Sequence, residues 1–321
     1  MHLAQWGLAD KLAADPAVWL CHQCNDCTTR CPRDAKPGDV MQLVRALTIA
    51  HLATPSFLGR WVANARTTWP VLVGVPFLFW IVVLYAVHGM TIPKAPLVYS
   101  TFVPFWLIYV VYFSVTGLVG LATLSSGMKF WKMLEGSDRR KGSFWSHLIP
   151  VAVDIMFHKR FDKCGTARPR KTGHFALFWG FVGAAVISAL LIVDIYILKG
   201  EVPMALTHPF KILGNLSAVL LVIGVVMLIN NRVGDQKEQT GISSSYDSFF
   251  LSVVALVVLT GCLAELFRLT LDPTIACYTY IAHLSFVMTL FVTFPYSKFA
   301  HMMYRTLAMV HARMTGEDVK G

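Results

Sequence analysis

The sequence predicts an all-α membrane protein, a six-span transmembrane helical bundle preceded by a small helical module. Hydrophobic residues make up 55% of the 321 residues and charged residues only 14%, against about 25% charged in an average soluble domain. The apolar residues form long stretches after residue 68, whereas residues 1–67 are polar or mixed. We therefore divide the chain into an N-terminal module at residues 1–67 and a membrane domain at residues 68–321.

The N-terminal module contains two predicted helices. Residues 3–14 have the pattern of a short amphipathic helix. The segment Pro37–His51 predicts a second helix, because Pro37 stands near its start and Asp39 in its first turn. The first twenty residues carry charges and a proline and lack the apolar segment of a secretion signal. We therefore expect the N-terminus to stay in the cytoplasm.

The membrane domain contains apolar stretches close to the ~20 residues that a helix needs to cross a bilayer. The predicted spans are residues 69–88, 97–123, 174–198, 209–230, 248–268 and 275–298. A further apolar segment, Phe144–Phe157, is too short to span and contains polar residues. We expect it to form an interfacial helix on the cytoplasmic face.

The distribution of basic residues predicts the orientation of the chain. Eleven Lys and Arg residues lie between Lys129 and Lys171, in the connection between spans two and three, and the opposite loops carry few. Because basic loops remain on the cytoplasmic side, both termini and this long loop are predicted to face the cytoplasm across the inner membrane. The net charge of +10 has the same explanation, and we expect no nucleic-acid partner.

Four of the seven cysteines lie close together in the N-terminal module. Cys21, Cys24, Cys27 and Cys31 form the pattern C-x2-C-x2-C-x3-C-P, and we call residues 21–32 the cysteine run. Thiolates at this spacing each bind a different iron of a cubane, and the pattern is that of bacterial [4Fe–4S] proteins. Zinc is the alternative, although zinc sites usually use two separated cysteine pairs.

The fourth ligand of this cluster remains open from sequence. In two-cluster ferredoxins the last cysteine of a run usually binds the other cluster, and this chain has one run. Cys31 bends back to close a single cluster, or Cys164 of the long loop contributes, or residues upstream of Met1 belong to the native product.

The histidine spacing predicts two haem groups. His283 and His301 are 18 residues apart, or five helical turns, so one helix would present both on one face about 27 Å apart. We expect His301 to pair with His174 at the inner side and His283 with His208 at the outer side, with His88 as the competitor of His208. The alternative is that His174, His208 and His301 are interfacial anchors. His283 lies within an apolar span, where a polar group is usually functional.

Other polar residues receive structural interpretations. Glu265 and Arg268 are expected to pair at i and i+3. Pro295 is expected to bend span six and so to loosen the five-turn geometry. Five further histidines are expected to be solvated or structural: His22, His51, His147, His158 and His311.

Several segments resemble a known family. They are Gln5-Trp6-Gly7-Leu8, Trp19 to Cys27, Cys31-Pro32-Arg33, Lys36 to Val40, His208-Pro209-Phe210-Lys211 and Pro295 to His301. They closely resemble the membrane-embedded C subunit of quinone-interacting membrane-bound oxidoreductase (Qmo) complexes. That protein is similar to a fusion of the ferredoxin-like and cytochrome b-like subunits of heterodisulfide reductase. Its membrane part is similar to the gamma subunit of respiratory nitrate reductase.

The resemblance implies b haems, a menaquinone partner and two soluble subunits that carry flavin and iron–sulfur clusters. It also implies a link to adenylylsulfate reductase in dissimilatory sulfur metabolism. The family carries two cysteine runs, whereas the upstream run is missing here, so we expect a shortened start.

The sequence therefore predicts an electron-transfer subunit of a membrane-bound oxidoreductase that connects menaquinone to cytoplasmic partners. One alternative is the cytochrome b and iron–sulfur anchor of another heterodisulfide-, sulfite- or nitrate-type reductase. Another is a membrane redox sensor or transporter without a quinone. A transporter would carry ionisable residues at the bilayer midplane, and the spans have almost none.

Overall fold

The computed structural model describes residues 2–94, 96–134, 141–163, 168–234, 241–270 and 272–317. Throughout these residues the regular secondary structure is helical, without strands. The helices of the N-terminal module are α1 (His2–Gln5), α2 (Ala9–Ala14), α3 (Ala17–Leu20), α4 (Asp26–Thr29), α5 (Pro37–Leu52) and α6 (Ser56–Ala63). The later helices are α7 (Ala65–His88), α8 (Tyr99–Phe102), α9 (Phe105–Leu134), α10 (Phe144–Met156), α11 (Arg168–Val193), α12 (Pro209–Val233), α13 (Ser245–Thr270), α14 (Pro273–Thr293) and α15 (Ala300–Thr315).

Six helical segments of the described chain are long and apolar enough to cross a membrane. They contain α7, α9, α11, α12, α13 and α14, the last continuing into α15. The predicted fold class is therefore confirmed, and the chain is a multi-pass membrane protein. The short apolar segment is also helical and forms α10.

Two predicted helix boundaries differ from the structure. The helix predicted at residues 3–14 is divided into α1 and α2, because Gly7 adopts a left-handed conformation with φ of 67°. The second span begins at Phe105 rather than at residue 97, directly after Pro104. Proline has no amide hydrogen to continue a preceding helix, so the short helix α8 ends before it and α9 starts anew.

Span six is interrupted between its two candidate histidines. Helix α14 ends at Thr293, a 3₁₀ turn covers Phe294–Tyr296, and α15 begins at Ala300. Pro295 lies in this turn and cannot donate a backbone hydrogen bond. The prediction that His283 and His301 share one face of a continuous helix is therefore wrong, since they lie on different helices.

The bundle packs through small residues and through α14. Helices α11 and α12 approach closely at Gly224, where a Cβ atom would lie 2.6 Å from the backbone nitrogen of Leu177. Such glycines allow the close backbone contact on which helix association in membranes depends. On the other side, α14 contributes Ala276, Ile281 and Leu284 to a buried cluster.

The N-terminal module is anchored to the bundle by an aromatic cluster. Trp19 is 1% exposed and stacks on Tyr304 of α15, with 4.9 Å between ring centres and 19° between planes. The Trp19 ring also makes an edge-to-face contact with Phe130 of α9, with 6.2 Å between ring centres. Because Trp19 is only two residues from Cys21, this contact holds the cysteine run at the end of the bundle.

Candidate functional site

The cysteine run is a tight, partly exposed loop. Gln23 and Asn25 adopt left-handed conformations, with φ of 56° and 65°, and these reverse the chain between successive cysteines. The Sγ atom of Cys21 accepts a hydrogen bond from the Gln23 amide at 3.4 Å. Cys27 is exposed, whereas the other three cysteines of the run are half-buried.

The donor set of this loop is four thiols within eleven residues, and each thiolate of such a set would bind a different iron of a [4Fe–4S] cluster. Among the described residues, no group of three or more His, Cys, Asp or Glu side chains is placed to hold a metal ion. Zinc, which is also bound by thiolates, stays the alternative. Cys164, the alternative fourth ligand, lies outside the described residues.

The start of α5 closes the cysteine run. The Gly38 amide donates to Thr28 Oγ1 at 3.0 Å, and the Asn25 side chain lies directly against Gly38. A Cβ atom on Gly38 would overlap Asn25 Oδ1, so any larger residue there would displace the Asn25 side chain. Pro37 lies at the start of α5, as predicted from sequence. It thus marks where the chain passes from the cysteine run into this helix.

Arg45 of α5 holds the cysteine run from within the module. Its guanidinium donates to the Val18 carbonyl at 2.8 Å, the Cys21 carbonyl at 2.6 Å and Gln23 Oε1 at 2.7 Å. Burial lowers the pKa of the Arg45 guanidinium, the nearby Cys21 thiol raises that pKa, and Arg170 lowers it further. A buried guanidinium thus lies beside the first cysteine.

Two arginines from the bundle reach the same loop. Arg170 of α11 donates to the Gln23 carbonyl at 2.6 Å and the His22 carbonyl at 3.0 Å. Arg305 of α15 donates to the Cys21 carbonyl at 3.3 Å and to His22 Nδ1 at 3.5 Å. Three guanidiniums therefore bind the backbone or side chains of residues 21–23.

A cavity of 1860 Å³ connects this loop with the interior of the bundle. Small-molecule sites usually have roughly 300–1,000 Å³, so the cavity has room for more than one ligand. Its polar end is lined by His22, Arg45, Arg170, His174, His301 and Arg305. The rest is mostly apolar and extends to His283 and Tyr280.

His174 and His301 face each other across the polar end of the cavity. Their ring centres are 6.1 Å apart, with 77° between ring planes. The structure therefore brings together the inner pair predicted from sequence, and these two imidazoles would be the residues to hold a haem iron.

The outward ring nitrogens of this pair have hydrogen-bond partners. His301 Nδ1 donates to the Lys298 carbonyl, and His174 Nδ1 lies 2.7 Å from His158 Nε2. His158 Nδ1 in turn lies 3.4 Å from the Met156 carbonyl. Assigning the protons from this network places Nδ1–H on each ring and leaves Nε2 of His174 and His301 for another ligand. Haem and metal histidines usually have such a partner.

His158 has a role that the sequence did not reveal. It is 4% exposed, and its ring nitrogen contacts the His174 ring. The sequence left open whether His158 is solvated or structural, and the structure shows the structural role. Burial lowers the pKa of its imidazole, the Met156 carbonyl partly offsets this, and Lys171 lowers that pKa further. The neutral form, which accepts from His174, is thereby favoured.

His283 has a comparable arrangement on α14. Its Nδ1 lies 3.2 Å from the Val257 carbonyl and 3.3 Å from Thr260 Oγ1, both on α13. A Cβ atom on Gly261 would lie 2.9 Å from His283 Cε1, so the absence of a side chain at residue 261 makes room for this ring. The Nε2 atom is again left for a ligand.

The predicted outer pair is not brought together at the cavity. His208 caps α12, where its Nδ1 accepts the Phe210 amide at 3.3 Å, and it is not among the described residues that line the cavity. The side chain of the competitor, His88, lies outside the described part of the chain. The second ligand of His283 therefore remains a prediction.

The bundle also contains two ion-pair groups. Asp247 is 1% exposed and binds Lys298 Nζ at 2.6 Å, Ser244 Oγ at 2.9 Å and the Gln42 amide. It thus connects α5 of the module to the turn before α15. The predicted pairing of Glu265 with Arg268 is confirmed at 3.0 Å, and Lys211 joins Glu265 at 2.8 Å.

Comparison with known proteins gives two kinds of relative. A family model described as CitB, citrate utilization protein B, matches residues 71–320. Citrate utilization protein B of Escherichia coli is 23% identical over 317 residues, covering 91% of this chain and 80% of that protein. No solved structure matches.

The other relatives match a short segment. The C subunit of the H(2):CoB-CoM heterodisulfide,ferredoxin reductase of Methanothermobacter thermautotrophicus is 40% identical over 62 residues, 17% of this chain and 34% of that protein. A protein of Archaeoglobus profundus described as similar to the heterodisulfide reductase C subunit is 44% identical over 50 residues, 16% of this chain and 27% of that protein. The chain spans about a third of the length of these relatives. The heterodisulfide reductase part of the resemblance is thus confirmed over this segment, and the Qmo assignment stays a prediction.

Proposed function

The chain belongs to the citrate utilization protein B family, and within that family we propose for it the role of an electron-transfer subunit of a membrane-bound oxidoreductase. It connects menaquinone to soluble redox partners through a [4Fe–4S] cluster and b haems. One observation carries this proposal. His22 and Gln23, which lie between Cys21 and Cys24 in the cysteine run, line the same cavity as the facing pair His174 and His301.

The cysteine run holds the cluster through Cys21, Cys24 and Cys27, with Cys31 as the fourth ligand. The cluster supplies one-electron exchange, and the protein sets its position and surroundings. The left-handed residues Gln23 and Asn25 reverse the chain between the cysteines, and this supports a compact ligand loop. The partial exposure of the loop supports contact with a soluble partner.

The membrane domain holds the haems through histidine Nε2 atoms. His174 and His301 bind the inner haem, and His283 binds the outer haem with His208 or His88 as its second ligand. The carbonyls of Lys298 and Val257 and the ring of His158 orient these imidazoles. Haem supplies one-electron transfer when bound. The apolar part of the cavity supports access for the isoprenoid quinone.

The partners and membrane follow from the Qmo resemblance and from the basic loops. The partners are two soluble subunits that carry flavin and iron–sulfur clusters, and adenylylsulfate reductase accepts or supplies the electrons. The protein resides in the inner membrane with both termini in the cytoplasm. The heterodisulfide reductase relatives favour a second candidate, in which the same centres serve as the membrane anchor of a heterodisulfide-type reductase.

The test is a difference spectrum of the full-length protein purified anaerobically in detergent. Dithionite-reduced minus oxidised absorbance is expected to show b-type haem, and paramagnetic resonance is expected to show a reduced [4Fe–4S] signal. Addition of a short-chain menaquinol should reduce the haem in the purified protein. A protein without haem and cluster signals would overturn the proposal.

A further inference from the structure

The two bundle arginines that reach the cysteine run stand one helical turn from the two facing histidines. Arg170 precedes His174 by four residues on α11, and Arg305 follows His301 by four residues on α15. Residues at i and i+4 lie on one face of a helix. Each helix therefore presents a histidine to the cavity and, one turn away, an arginine to the backbone of the cysteine run.

We propose that Arg170 and Arg305 form a bridge that positions the cysteine run relative to the histidine pair and places positive charge between the two redox centres. This inference rests on the proposed function for the identity of the centres. The arginines are positioning residues, since they bind the protein carbonyls of residues 21–23. We call these two residues the arginine bridge.

The geometry of the arginine bridge suits arginine. The Arg170 guanidinium uses two nitrogens to bind two successive carbonyls, those of His22 and Gln23. A planar fork can make such paired contacts, whereas a lysine ammonium is a point charge on a flexible stem. Hydrogen bonds from charged donors are also about twice as strong as neutral ones. The arginine bridge thus fixes the loop to α11 and α15 at once.

The charge of the arginine bridge acts on the cluster. Thiolate ligands make a cluster anionic, and reduction adds another negative charge. Guanidiniums near Cys21 stabilise the reduced form and so raise the reduction potential, which depends on nearby charge and hydrogen bonds. Arg45, which binds the same Cys21 carbonyl from the module side, adds to this effect. Because arginine stays protonated, the effect should be independent of pH across the neutral range.

The first experiment measures docking without any cofactor. Trypsin is added to the apo form of the full-length protein in detergent, and cleavage after the exposed residues Arg30 and Arg33 is followed. Arg170→Gln and Arg305→Gln are each expected to increase the cleavage rate about tenfold, because a charged hydrogen-bonded clamp is lost. Arg313→Gln is the control, since Arg313 lies on the same helix and binds Asp154 at 2.7 Å instead.

The second experiment measures potentials in the loaded protein. Redox titration of the cluster signal is expected to give a lower midpoint potential in Arg305→Gln, near wild type in Arg305→Lys, and unchanged in Arg313→Gln. Haem content should stay at the wild-type level in all three. A purely structural role would increase cleavage in both Arg305 variants and leave the potential unmoved, which would overturn the charge part of the proposal.

The failure of this inference differs from that of the proposed function. Wild-type protein that carries haem and cluster, together with variants whose cleavage and potential equal the wild-type values, would overturn the arginine bridge alone. Wild-type protein without either cofactor would overturn the proposed function and the charge effect together, and the trypsin experiment would then decide the docking role by itself.

Discussion

His158 Nε2 lies 2.7 Å from Nδ1 of His174, and this contact gives His174 a fixed orientation toward His301. The supporting ring comes from the loop after α10, whereas His174 lies in the second turn of α11. A chain of hydrogen bonds therefore connects the Met156 carbonyl, His158 and His174.

Replacement of His158 should weaken haem binding without removing a ligand. His158→Ala is expected to lower the affinity of the inner haem by about 10–100-fold, because loss of such a supporting partner typically costs that much. Haem titration of the apo protein, followed by absorbance, measures this. His147→Ala is the control. An unchanged affinity in His158→Ala would show that His174 is oriented without it.

Gly261 should be essential for the outer haem. Gly261→Ala places a Cβ atom 2.9 Å from His283 Cε1, so the imidazole must move away from its position. The expected result is loss or spectral change of one haem. Gly120→Ala is the matched control, because Gly120 also lines the cavity but a Cβ atom there meets nothing within 4 Å. Equal haem content and spectra in both variants would contradict the assignment.

The histidine substitutions decide which residues bind which haem. His283→Ala is expected to remove one haem and His301→Ala or His174→Ala the other, each leaving about half of the wild-type haem content. Pyridine haemochrome measurement gives the content per chain. At the outer site, loss of one haem in His88→Ala with both haems kept in His208→Ala would assign His88. If none of the five substitutions lowers haem content, the two-haem hypothesis is wrong.

The cysteine substitutions test the cluster. Cys21→Ser, Cys24→Ser and Cys27→Ser should each abolish the [4Fe–4S] signal and remove about four irons per chain, because the cluster is one unit that needs a thiolate on each of its irons. Cys262→Ser is the control, since this half-buried cysteine lies on α13. Stoichiometric zinc in the wild-type protein, without a cluster signal, would contradict the cluster. The effect of Cys31→Ser decides whether Cys31 is the fourth ligand.

The ion pair between Asp247 and Lys298 should stabilise the attachment of the module. Lys298→Met leaves a buried carboxylate without its closest cation and is expected to cost about 3–5 kcal/mol of stability. Thermal unfolding of the detergent-solubilised protein measures this. In the double variant Asp247→Leu with Lys298→Met, most of the loss should be recovered, because both charges are gone. A double variant as unstable as the single one would contradict the pairing.

The sequence allowed the spans and the inner pair to be predicted for physical reasons. Apolar stretches of bilayer length have few alternative structures, so six spans followed from composition. His174 and His301 were matched because topology gives both the same depth, and the structure confirms that they face each other. The same reasoning from depth in the membrane favoured His208 for the outer site. In the structure the His208 ring caps α12, and depth alone does not reveal this role.

The contacts around the cysteine run were not predictable by spacing alone. Arg45, Arg170 and Arg305 are more than a hundred residues apart in the sequence. All three bind backbone carbonyls within residues 21–23, rather than one complementary side chain. Backbone carbonyls have no sequence signature. The one available signal was the four-residue spacing of each bundle arginine from a histidine, on α11 and on α15.

The interruption of span six at Pro295 has a mechanical consequence. A continuous helix would transmit a tilt at one end along its ladder of hydrogen bonds to the other end. Here the regular α-helical ladder gives way to a 3₁₀ turn between Thr293 and Ala300, so His301 and His283 belong to different helices. Helix α15 also carries Arg305 and Tyr304, which contact the module. A displacement of the module would therefore reach His301 directly through α15, and His283 only by way of the turn at Pro295.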